Sequence, residues 1–396
     1  MVRNASLFCQ ILEFFPRGRF QALVREHGVE RSAKGFTSWS QFVSMLFCQL
    51  AQMKSLREIC NGLTSCMGKV RHLGIQEAPC RSTLAYANEH RHWAFFEALF
   101  KDMLSHCIQQ APQKKFRFKN KLLSLDATVI DLCLAMFPWA TFRQTKGAVK
   151  LHMLLDHDGY LPVYAYISEG SVHEIQIART IDLPADSIVA MDRGFTDFSL
   201  YGTWTDRKVW FVTRLKDNAV YETLENREVP KRGVILSDEL ILLTGVKARE
   251  TCPHTLRRIT VWDEVNQCPI VLLTNHLRFA ASTIAAIYKD RWQIEIFFKT
   301  LKQNLKVKTF VGTSENALKI QIWTALIALL IVKHLQHRAR FNWSLSNLVA
   351  MLRLNLFTYR LLNDWLDDPW ETPPLGPSSG QQDLPFPGSG QHVVKS

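Results

Sequence analysis

Residues 122–132, LLSLDATVIDL, mark the point at which the sequence changes from a helical to a strand-forming pattern. Beyond them, KLHMLLDHDGYLPVYAYISEG (150–170) reads as two strands joined by a central turn, which predicts an antiparallel hairpin. A helix over 173–181 and two apolar strands, SIVAMD (187–192) and VWFVTRL (209–215), follow in alternation. This order predicts an α/β fold built on a mixed sheet.

The residues before this point have a helical pattern. In SQFVSMLFCQLAQMKSLREICNGL (40–63), apolar residues recur at three- and four-residue spacing, with Ser40 expected to cap the helix and Gly62 to mark its end. A second helical segment, STLAYANEHRHWAFFEALFKDMLSHC (82–107), carries an aromatic face typical of a buried core. We therefore expect an all-helical N-terminal domain, whose DNA-binding role would rest only on its basic, helical character.

Strand patterns dominate again from about residue 218 to residue 275 and indicate a β-rich insertion. At Ser282 the helical period resumes in STIAAIYKDRWQIEIFFKTLKQNL (282–305), which predicts one long helix. The Pro-, Gly-, Ser- and Gln-rich end of the chain predicts disorder. The expected divisions are a helical N-terminal domain (1–110), the two halves of an α/β core (111–204 and 276–368), a β-rich insertion (205–275) and a disordered tail (369–396).

The composition bounds the class of protein. The 396 residues carry a formal net charge of +12, and 47% hydrophobic with 21% charged residues is typical of a globular protein rather than a disordered or fibrous one. Positive charge favours a polyanionic partner, because Lys and Arg that neutralise phosphates release counterions. Charge alone supports a basic protein with no such partner about equally well.

Cysteine usage and apolar runs indicate an intracellular protein. The nine cysteines form no CxxC pair, and their odd number favours reduced thiols in a cytosolic compartment. Cys252, His254 and Cys268 do not match the spacing of a structural zinc site. No signal peptide is predicted at the N-terminus. The longest apolar run, 320–332, falls short of the ~18 residues that a membrane span needs, so we expect a buried core helix there.

Three acidic residues occupy positions where a carboxylate is unexpected. Asp126 lies between apolar residues in LLSLDATVI, and Asp192 ends the apolar strand SIVAMD. A carboxylate in such a strand is unfavourable unless it is paired or binds a metal. Glu295 lies on the helix face that also carries Trp292 and Phe298. Taken singly, either aspartate is also compatible with a helix cap or an arginine ion pair.

Four residues are spaced to project along one side of the predicted helix: Tyr288, Arg291, Glu295 and Lys302. An exposed face with i, i+4 ion pairs explains Arg291 with Glu295 but does not explain the tyrosine and the lysine. Carboxylates from two strands and a helix also have the make-up of a two-metal site for Mg²⁺, a hard cation that prefers oxygen ligands. Such a site activates an attacking water or hydroxyl and stabilises the leaving oxygen.

These motifs together resemble the DDE transposases of the IS4 family of bacterial insertion sequences. The resemblance covers nearly the whole chain, and its most specific part is the signature Tyr-x2-Arg-x3-Glu-x6-Lys in YKDRWQIEIFFKTLK (288–302). Asp126 in SLDATVID and Asp192 in AMDRGF complete the acidic set in the family's order. The resemblance implies an RNase H-like catalytic core with a β-strand insertion between the second aspartate and the glutamate, preceded by an all-helical N-terminal domain.

The resemblance also implies roles for these residues. Asp126, Asp192 and Glu295 would hold two Mg²⁺ ions, for which Mn²⁺ can substitute, and carry hydrolysis at the element's end followed by strand transfer. Tyr288, Arg291 and Lys302 would contact phosphates near the cleavage point; Arg193, beside Asp192, is a further candidate for such a contact. The implied protein is a metal-dependent, cut-and-paste DNA transposase of the bacterial cytoplasm, associated with the nucleoid when bound to DNA. Its partners would be double-stranded DNA with terminal inverted repeats, target DNA and a second copy in a homodimeric synaptic complex, with no membrane.

Some features leave alternatives open. Some relatives cleave through a hairpin and stack a flipped base on a tryptophan of the inserted β region. The corresponding place here carries Ile270 or Val271, and Trp262 on the preceding strand is better interpreted as a packed sheet residue than as a substitute. The basic segment 114–121 is either a DNA contact or a linker. Another RNase H-like nuclease, such as a junction resolvase, and a non-enzymatic DNA-binding protein are the alternative classes.

Overall fold

The computed structural model describes residues 5–31, 33, 35–66, 69–110, 116–143, 146–229, 232–305 and 310–373. Its α-helices are α1 (Leu7–Leu12), α2 (Arg17–His27), α3 (Ser38–Leu50), α4 (Leu56–Thr64), α5 (Arg81–His90), α6 (Ala94–Gln109), α7 (Glu174–Ala178), α8 (Phe198–Asp206), α9 (Val246–Thr251), α10 (Ala281–Asp290), α11 (Trp292–Asn304), α12 (Glu315–Arg338), α13 (Leu345–Asn355) and α14 (Leu362–Asp367). Its strands are β1 (Leu122–Leu132), β2 (Thr141–Arg143), β3 (Lys146–Asp156), β4 (Leu161–Glu169), β5 (Ile188–Met191), β6 (Trp210–Arg214), β7 (Tyr221–Asn226), β8 (Ile235–Leu243), β9 (Leu256–Asp263) and β10 (Cys268–Thr274). The predicted disordered tail beyond residue 373, and Lys114 and Lys115 of the basic segment, lie outside the described residues.

One mixed sheet contains the strands of the described residues, in the order β2-β3-β1-β5-β6-β10-β9-β8-β7, with β4 also paired to β3. β1 runs antiparallel to β3 and parallel to β5, and β3 and β4 form the predicted hairpin. The register pairs Leu125 with Met191, so the next residues along the two strands, Asp126 and Asp192, lie at the same level of the sheet. The prediction of an α/β fold with a mixed sheet is confirmed.

The two faces of β1 belong to different apolar cores. Leu123 and Leu125 contribute to the core that contains residues of α8, whereas Leu122 packs in the core that contains residues of α10. Because successive side chains of a strand point to opposite faces, Ser124 and Asp126 share the α10 face with Leu122. The strand therefore directs Asp126 toward the helix that begins the signature motif.

The strands within the predicted insertion, 205–275, continue the same sheet. β6 pairs in parallel with β5, and β10 then pairs antiparallel with β6. β9, β8 and β7 extend the sheet from β10 by antiparallel pairing. This part of the chain is therefore joined to β5 through direct backbone hydrogen bonds, and the predicted domain boundaries remain a prediction.

Helix α12 lies at the centre of the helical part of the molecule. It is long and apolar enough to cross a membrane, but 89% of its most apolar window is buried inside the protein. This burial confirms the prediction of a core helix at 320–332. α12 packs against α3, α5 and α6 as well as α13, and these helices contribute to one apolar core. The N-terminal and C-terminal helices are thus packed as one unit.

The predicted helix boundaries in the N-terminal region are wrong. Thr37, not Ser40, caps α3, because the Thr37 hydroxyl accepts a hydrogen bond from the Ser40 N–H at 3.1 Å. The predicted single helix is two helices, and Ser55 caps the second of them. Gly62 lies inside α4 and does not end it. Competing hydroxyl caps at several positions explain the error, because the sequence pattern alone does not select among them.

The predicted single helix over 282–305 is also wrong, since it breaks at Arg291 between α10 and α11. The Arg291 N–H donates to the carbonyls of both Ile287 and Tyr288 at 3.2 Å, and the Ile294 N–H donates to the Arg291 carbonyl at 3.1 Å. The bonds to Tyr288 and Arg291 span three residues instead of four and tighten the turn relative to a regular α-helix. The break therefore falls on a residue of the signature motif itself.

Candidate active site

Asp126 lies in the middle of β1 with its side chain 19% exposed. Its Oδ1 accepts a hydrogen bond from the Ala127 N–H at 2.7 Å. Burial is the largest cause that raises the pKa of Asp126, to about 6. The charges of Asp192 and Glu295 raise this pKa as well, whereas the Ala127 N–H and Arg291 lower it. The three predicted acidic residues are thus close enough to influence one another.

Asp192 follows β5 directly and caps a short 3₁₀ turn over 193–195. Its Oδ1 accepts a hydrogen bond from the Arg193 N–H, and the residue is exposed. The Arg193 guanidinium points to Asp217, with Nη1 3.0 Å from its Oδ2, and both side chains are exposed. The predicted phosphate contact at Arg193 therefore lies on an exposed edge of the site.

Arg291 is the cation that lies between the acids. Its Nη2 donates to Glu295 Oε1 at 2.6 Å, and its Nη1 lies 3.9 Å from Asp126 Oδ2. The side chain is 11% exposed, and its buried Nε has no hydrogen-bond partner within the part of the chain that the structure describes. A buried guanidinium nitrogen in this condition is an available donor, because an unsatisfied buried polar group is unfavourable. The predicted i, i+4 contact of Arg291 with Glu295 is present.

Tyr288 lies against Arg291, whose guanidinium carbon is 5.5 Å from the centre of the tyrosine ring. Burial raises the pKa of Tyr288, whereas the positive charges of Arg291 and Arg214 lower it. Arg214, the last residue of β6, is therefore a cation of this site that the sequence reasoning missed. Its signal in the sequence was a charged residue at the end of an apolar strand, the same signal that identified Asp192.

Lys302 contacts the strand that carries Asp126. Its Nζ donates to the backbone carbonyl of Val129 at 2.7 Å, three residues beyond Asp126 on β1. The contact attaches the C-terminal part of α11 to the strand that carries the first aspartate. The structure thus places Tyr288 and Glu295 against Arg291, and it places Lys302 against Val129 of β1.

The oxygen donors of the site fit a hard divalent cation. Asp126, Asp192 and Glu295 would hold it, and a positive charge there would offset the burial and mutual repulsion that raise the pKa of Asp126. Among the described ranges, no three His, Cys, Asp or Glu side chains form a ready metal-binding group. The carboxylate of Glu295 is instead engaged by Arg291.

The aromatic candidate of the β region has a different environment. Trp262 lies in β9 opposite Pro269 of β10 and is half-buried, as are Ile270 and Val271. Its backbone N–H donates to the carbonyl of Val234 at 2.7 Å. Its position within paired strands agrees with the interpretation of Trp262 as a packed sheet residue.

Comparison with known families and proteins identifies the class. The family model described as "Transposase DDE domain" matches residues 117–331, and a "Domain of unknown function (DUF4372)" matches residues 3–76. The chain is 31% identical over 262 residues to the transposase y4zB of Sinorhizobium fredii, covering 65% of this chain and 71% of the relative. It is 28% identical over 267 residues to the transposase of insertion sequence element IS5377 from Geobacillus stearothermophilus, covering 66% and 69%.

One further relative and one solved structure, both transposases by name, are more distantly similar. Transposase InsG for insertion sequence element IS4 of Escherichia coli is 26% identical over 179 residues, covering 42% of this chain and 38% of the relative. A solved piggyBac transposase synaptic complex with hairpin DNA aligns with a TM-score of 0.45 at 12% identity, covering 90% of this chain and 81% of that one. The extent of the first family match and the identity to the first relative are decisive: the chain belongs to the DDE transposases, in the group that includes the IS4-type insertion-sequence transposases.

Proposed function

We propose that this transposase cuts DNA at the ends of its insertion sequence and joins those ends to target DNA, with Asp126, Asp192 and Glu295 as its catalytic carboxylates. In the first step water attacks the phosphodiester at the element's end and releases a 3′-hydroxyl. In the second step that hydroxyl attacks a phosphodiester of the target and displaces its 3′-oxygen. The same site serves both steps, because both are in-line displacements at phosphorus.

The observation that carries this proposal is the convergence of the three acids at the α10 face of β1. Asp126 and Asp192 leave the paired region of two parallel strands at one level, and Glu295 reaches them from α11. The negative charges of Asp192 and Glu295 both raise the pKa of Asp126, so added positive charge would stabilise the cluster. Two Mg²⁺ ions, or Mn²⁺ in their place, would activate the attacking oxygen and neutralise the leaving one.

The cations around the cluster are suited to a phosphate backbone. Arg291 retains a buried Nε donor beside the acids, and a guanidinium fork matches two phosphate oxygens. Tyr288 and Lys302 of the same signature, and Arg193 on the exposed edge, are the further contacts that we propose. Such contacts position the duplex and do not read its sequence.

The wider organisation follows from the same assignment. Residues 111–204 and 276–368 would form an RNase H-like core, residues 205–275 its β-rich insertion, and the helical N-terminal region (1–110) a DNA-binding domain. The partners would be the terminal inverted repeats, target DNA and a second copy of the chain in the synaptic complex. The site of action would be the bacterial cytoplasm, at the nucleoid.

The test uses the DNA that flanks the gene. Imperfect inverted repeats found there are built into short duplexes and incubated with the purified protein and Mg²⁺, and nicking and joining are measured on gels. Wild-type protein should cleave at the repeat end. Asp192→Asn and Glu295→Gln should bind the duplex without cleaving it, whereas Asp131→Asn, an exposed aspartate on the same strand as Asp126, should behave as wild type.

Three outcomes would contradict the proposal. Wild-type cleavage rates in either acidic variant would remove these carboxylates from the reaction. Preferential cleavage of four-way junctions over repeat ends would instead favour a junction resolvase, and binding without metal-dependent cleavage would favour a non-enzymatic DNA-binding protein.

A further inference from the structure

A buried hydrogen-bonded network lies directly beneath the proposed catalytic residues. Ser124 Oγ is 2.7 Å from His157 Nε2, and His157 Nδ1 is 2.7 Å from Asp290 Oδ2. The Tyr160 hydroxyl also donates to Asp290 Oδ2, at 3.2 Å. Ser124, His157 and Asp290 are 0%, 4% and 5% exposed.

The order serine, histidine, aspartate resembles the relay of a hydrolase, but its burial excludes that role. A nucleophile must meet its substrate, and the Ser124 hydroxyl is fully enclosed. The arrangement that satisfies every group has the His157 Nδ1–H donating to Asp290 and the Ser124 hydroxyl donating to Nε2. The effect of the Ser124–His157–Asp290 network is therefore to connect the elements that carry it.

Those elements are the ones that must be aligned for catalysis. Ser124 lies on β1 two residues before Asp126 and on the same face of the strand. Asp290 ends α10 and directly precedes Arg291, where the signature helix breaks. His157 follows β3 and bridges the two, since it contacts Ser124 and also Asp290, which lies 133 residues further along the chain.

A second attachment lies on the other side of Asp126. Lys302 donates to the Val129 carbonyl, so the α10–α11 pair is bonded to β1 both before and after the first catalytic aspartate. Between these attachments lie Arg291 and Glu295. Loss of the first attachment would free α10 and α11 to rejoin as a regular helix, which would rotate Glu295 relative to Asp126.

We propose that His157 and Asp290 are positioning residues that fix the break at Arg291 and thereby hold Glu295 and Arg291 against Asp126. This inference rests on the proposed function for its catalytic consequence. Residues that orient a metal ligand without touching the metal commonly change its affinity roughly 10–100-fold when they are replaced. Here the effect is transmitted through one turn of helix, so we expect the metal affinity to fall about tenfold.

The experiment compares two substitutions of one residue. In His157→Asn the amide nitrogen stands where Nδ1 stood and can still donate to Asp290. In His157→Gln it stands near the former Nε2, so the bond to Asp290 is lost. Hydrogen exchange of segment 288–298 is measured by mass spectrometry in both variants. We expect about tenfold faster exchange in His157→Gln and less than about threefold in His157→Asn.

A second arm measures metal binding directly. Titration calorimetry with Mn²⁺ alone should show about tenfold weaker binding in His157→Gln and near-wild-type binding in His157→Asn. Asp290→Leu, which is close to aspartate in volume and has no hydrogen-bond acceptor, should match His157→Gln and replaces it if that variant does not fold. Cleavage of the repeat duplex should require a correspondingly higher Mn²⁺ concentration, while the affinity for the duplex changes by less than about twofold.

The outcomes separate the two levels of the proposal. Exchange at 288–298 that is equal in wild type, His157→Gln and Asp290→Leu would overturn the role of the network. Faster exchange with unchanged Mn²⁺ affinity would overturn its positioning of the ligands. If wild-type protein neither binds Mn²⁺ nor cleaves DNA, the proposed function fails, and the exchange measurement still decides whether the network fixes the helix break.

Discussion

Two arginine–aspartate pairs in this molecule have the same chemistry but differ in burial and in hydrogen bonding. Arg257 of β9 and Asp238 of β8 are 3% and 5% exposed, with Nε–Oδ1 and Nη2–Oδ2 distances of 2.7 and 2.5 Å. The third nitrogen of Arg257, Nη1, donates to the Phe279 carbonyl at 2.5 Å. Arg291 and Asp126 are 11% and 19% exposed and 3.9 Å apart, and Nε of Arg291 has no partner among the described residues.

The difference is the one expected between a structural ion pair and the proposed binding site. Each guanidinium nitrogen of Arg257 has a partner, two of them on Asp238, so the pair holds β8 to β9. The Arg291–Asp126 pair retains an unused donor and a carboxylate whose pKa burial has raised to about 6. Unsatisfied buried groups are tolerated where a ligand completes them.

Replacement of the two aspartates should give the largest difference between the two pairs, measured as the rate of DNA cleavage. Asp126→Asn removes a proposed metal ligand and should lower the cleavage rate by more than about a thousandfold, because metal ions contribute several kcal/mol to such transition states. Asp238→Asn, at the satisfied pair, should leave the rate per folded molecule unchanged. Single-turnover cleavage of the repeat duplex measures both, and comparable rates in the two variants would contradict the distinction.

Replacement of Arg257 should have the next largest effect, and on stability. Arg257→Met leaves Asp238 buried without its partner, which we expect to lower the free energy of unfolding by about 3–5 kcal/mol. Urea denaturation followed by circular dichroism measures this change. The double variant with Asp238→Leu should recover much of the loss, since apolar residues can replace a buried pair. No recovery would mean that the pair contributes more than mutual neutralisation.

These two pairs also show what the sequence could predict. Asp126, Asp192 and Glu295 were identifiable because each interrupts an apolar pattern, and the register of β1 with β5 brings the first two together as parallel strands require. The Arg257–Asp238 pair was not identifiable from the sequence. Charged residues at alternate positions of a strand predict a solvent-exposed face, and the sequence does not show that other elements cover that face.

The break at Arg291 escaped prediction for a related reason. The apolar period runs without interruption through 282–305, and no proline or glycine marks a boundary. The partner that fixes Asp290 is His157, which lies far away in sequence within a turn that was read only as a hairpin connection. Tertiary contacts thus decided a local feature that helix propensity alone would have left continuous.

The pH dependence of stability should sharpen the comparison further. In the folded protein burial raises the pKa of Asp126 to about 6 from an ordinary value near 3.8. Between these values the folded state binds more protons than the unfolded state, so the free energy of unfolding should fall as pH rises through this window. The contribution is roughly 3 kcal/mol at most.

Urea denaturation without divalent cations, at about pH 4 and about pH 7, tests this dependence. Asp126→Asn should lose the decline that wild type shows across this range, since the amide does not titrate. Asp238→Asn serves as the matched control and should keep the decline. Parallel pH profiles for wild type and Asp126→Asn would show that Asp126 ionises in the folded protein as readily as in the unfolded one.

The smallest expected effect comes from exchanging arginine for lysine in the two pairs. Lysine keeps the positive charge but replaces the planar fork by a point charge, so Arg291→Lys should slow cleavage roughly tenfold while the melting temperature is kept. Arg257→Lys should lower the melting temperature and leave the rate per folded molecule unchanged, because its two bonds to Asp238 depend on the fork. Arg207→Lys, at an exposed pair with Asp182, should change neither quantity. Arg291→Lys could instead lower the melting temperature without slowing cleavage. Arg291 and Asp126 would then form a weak structural ion pair, and the Nε of Arg291 would have no part in holding DNA.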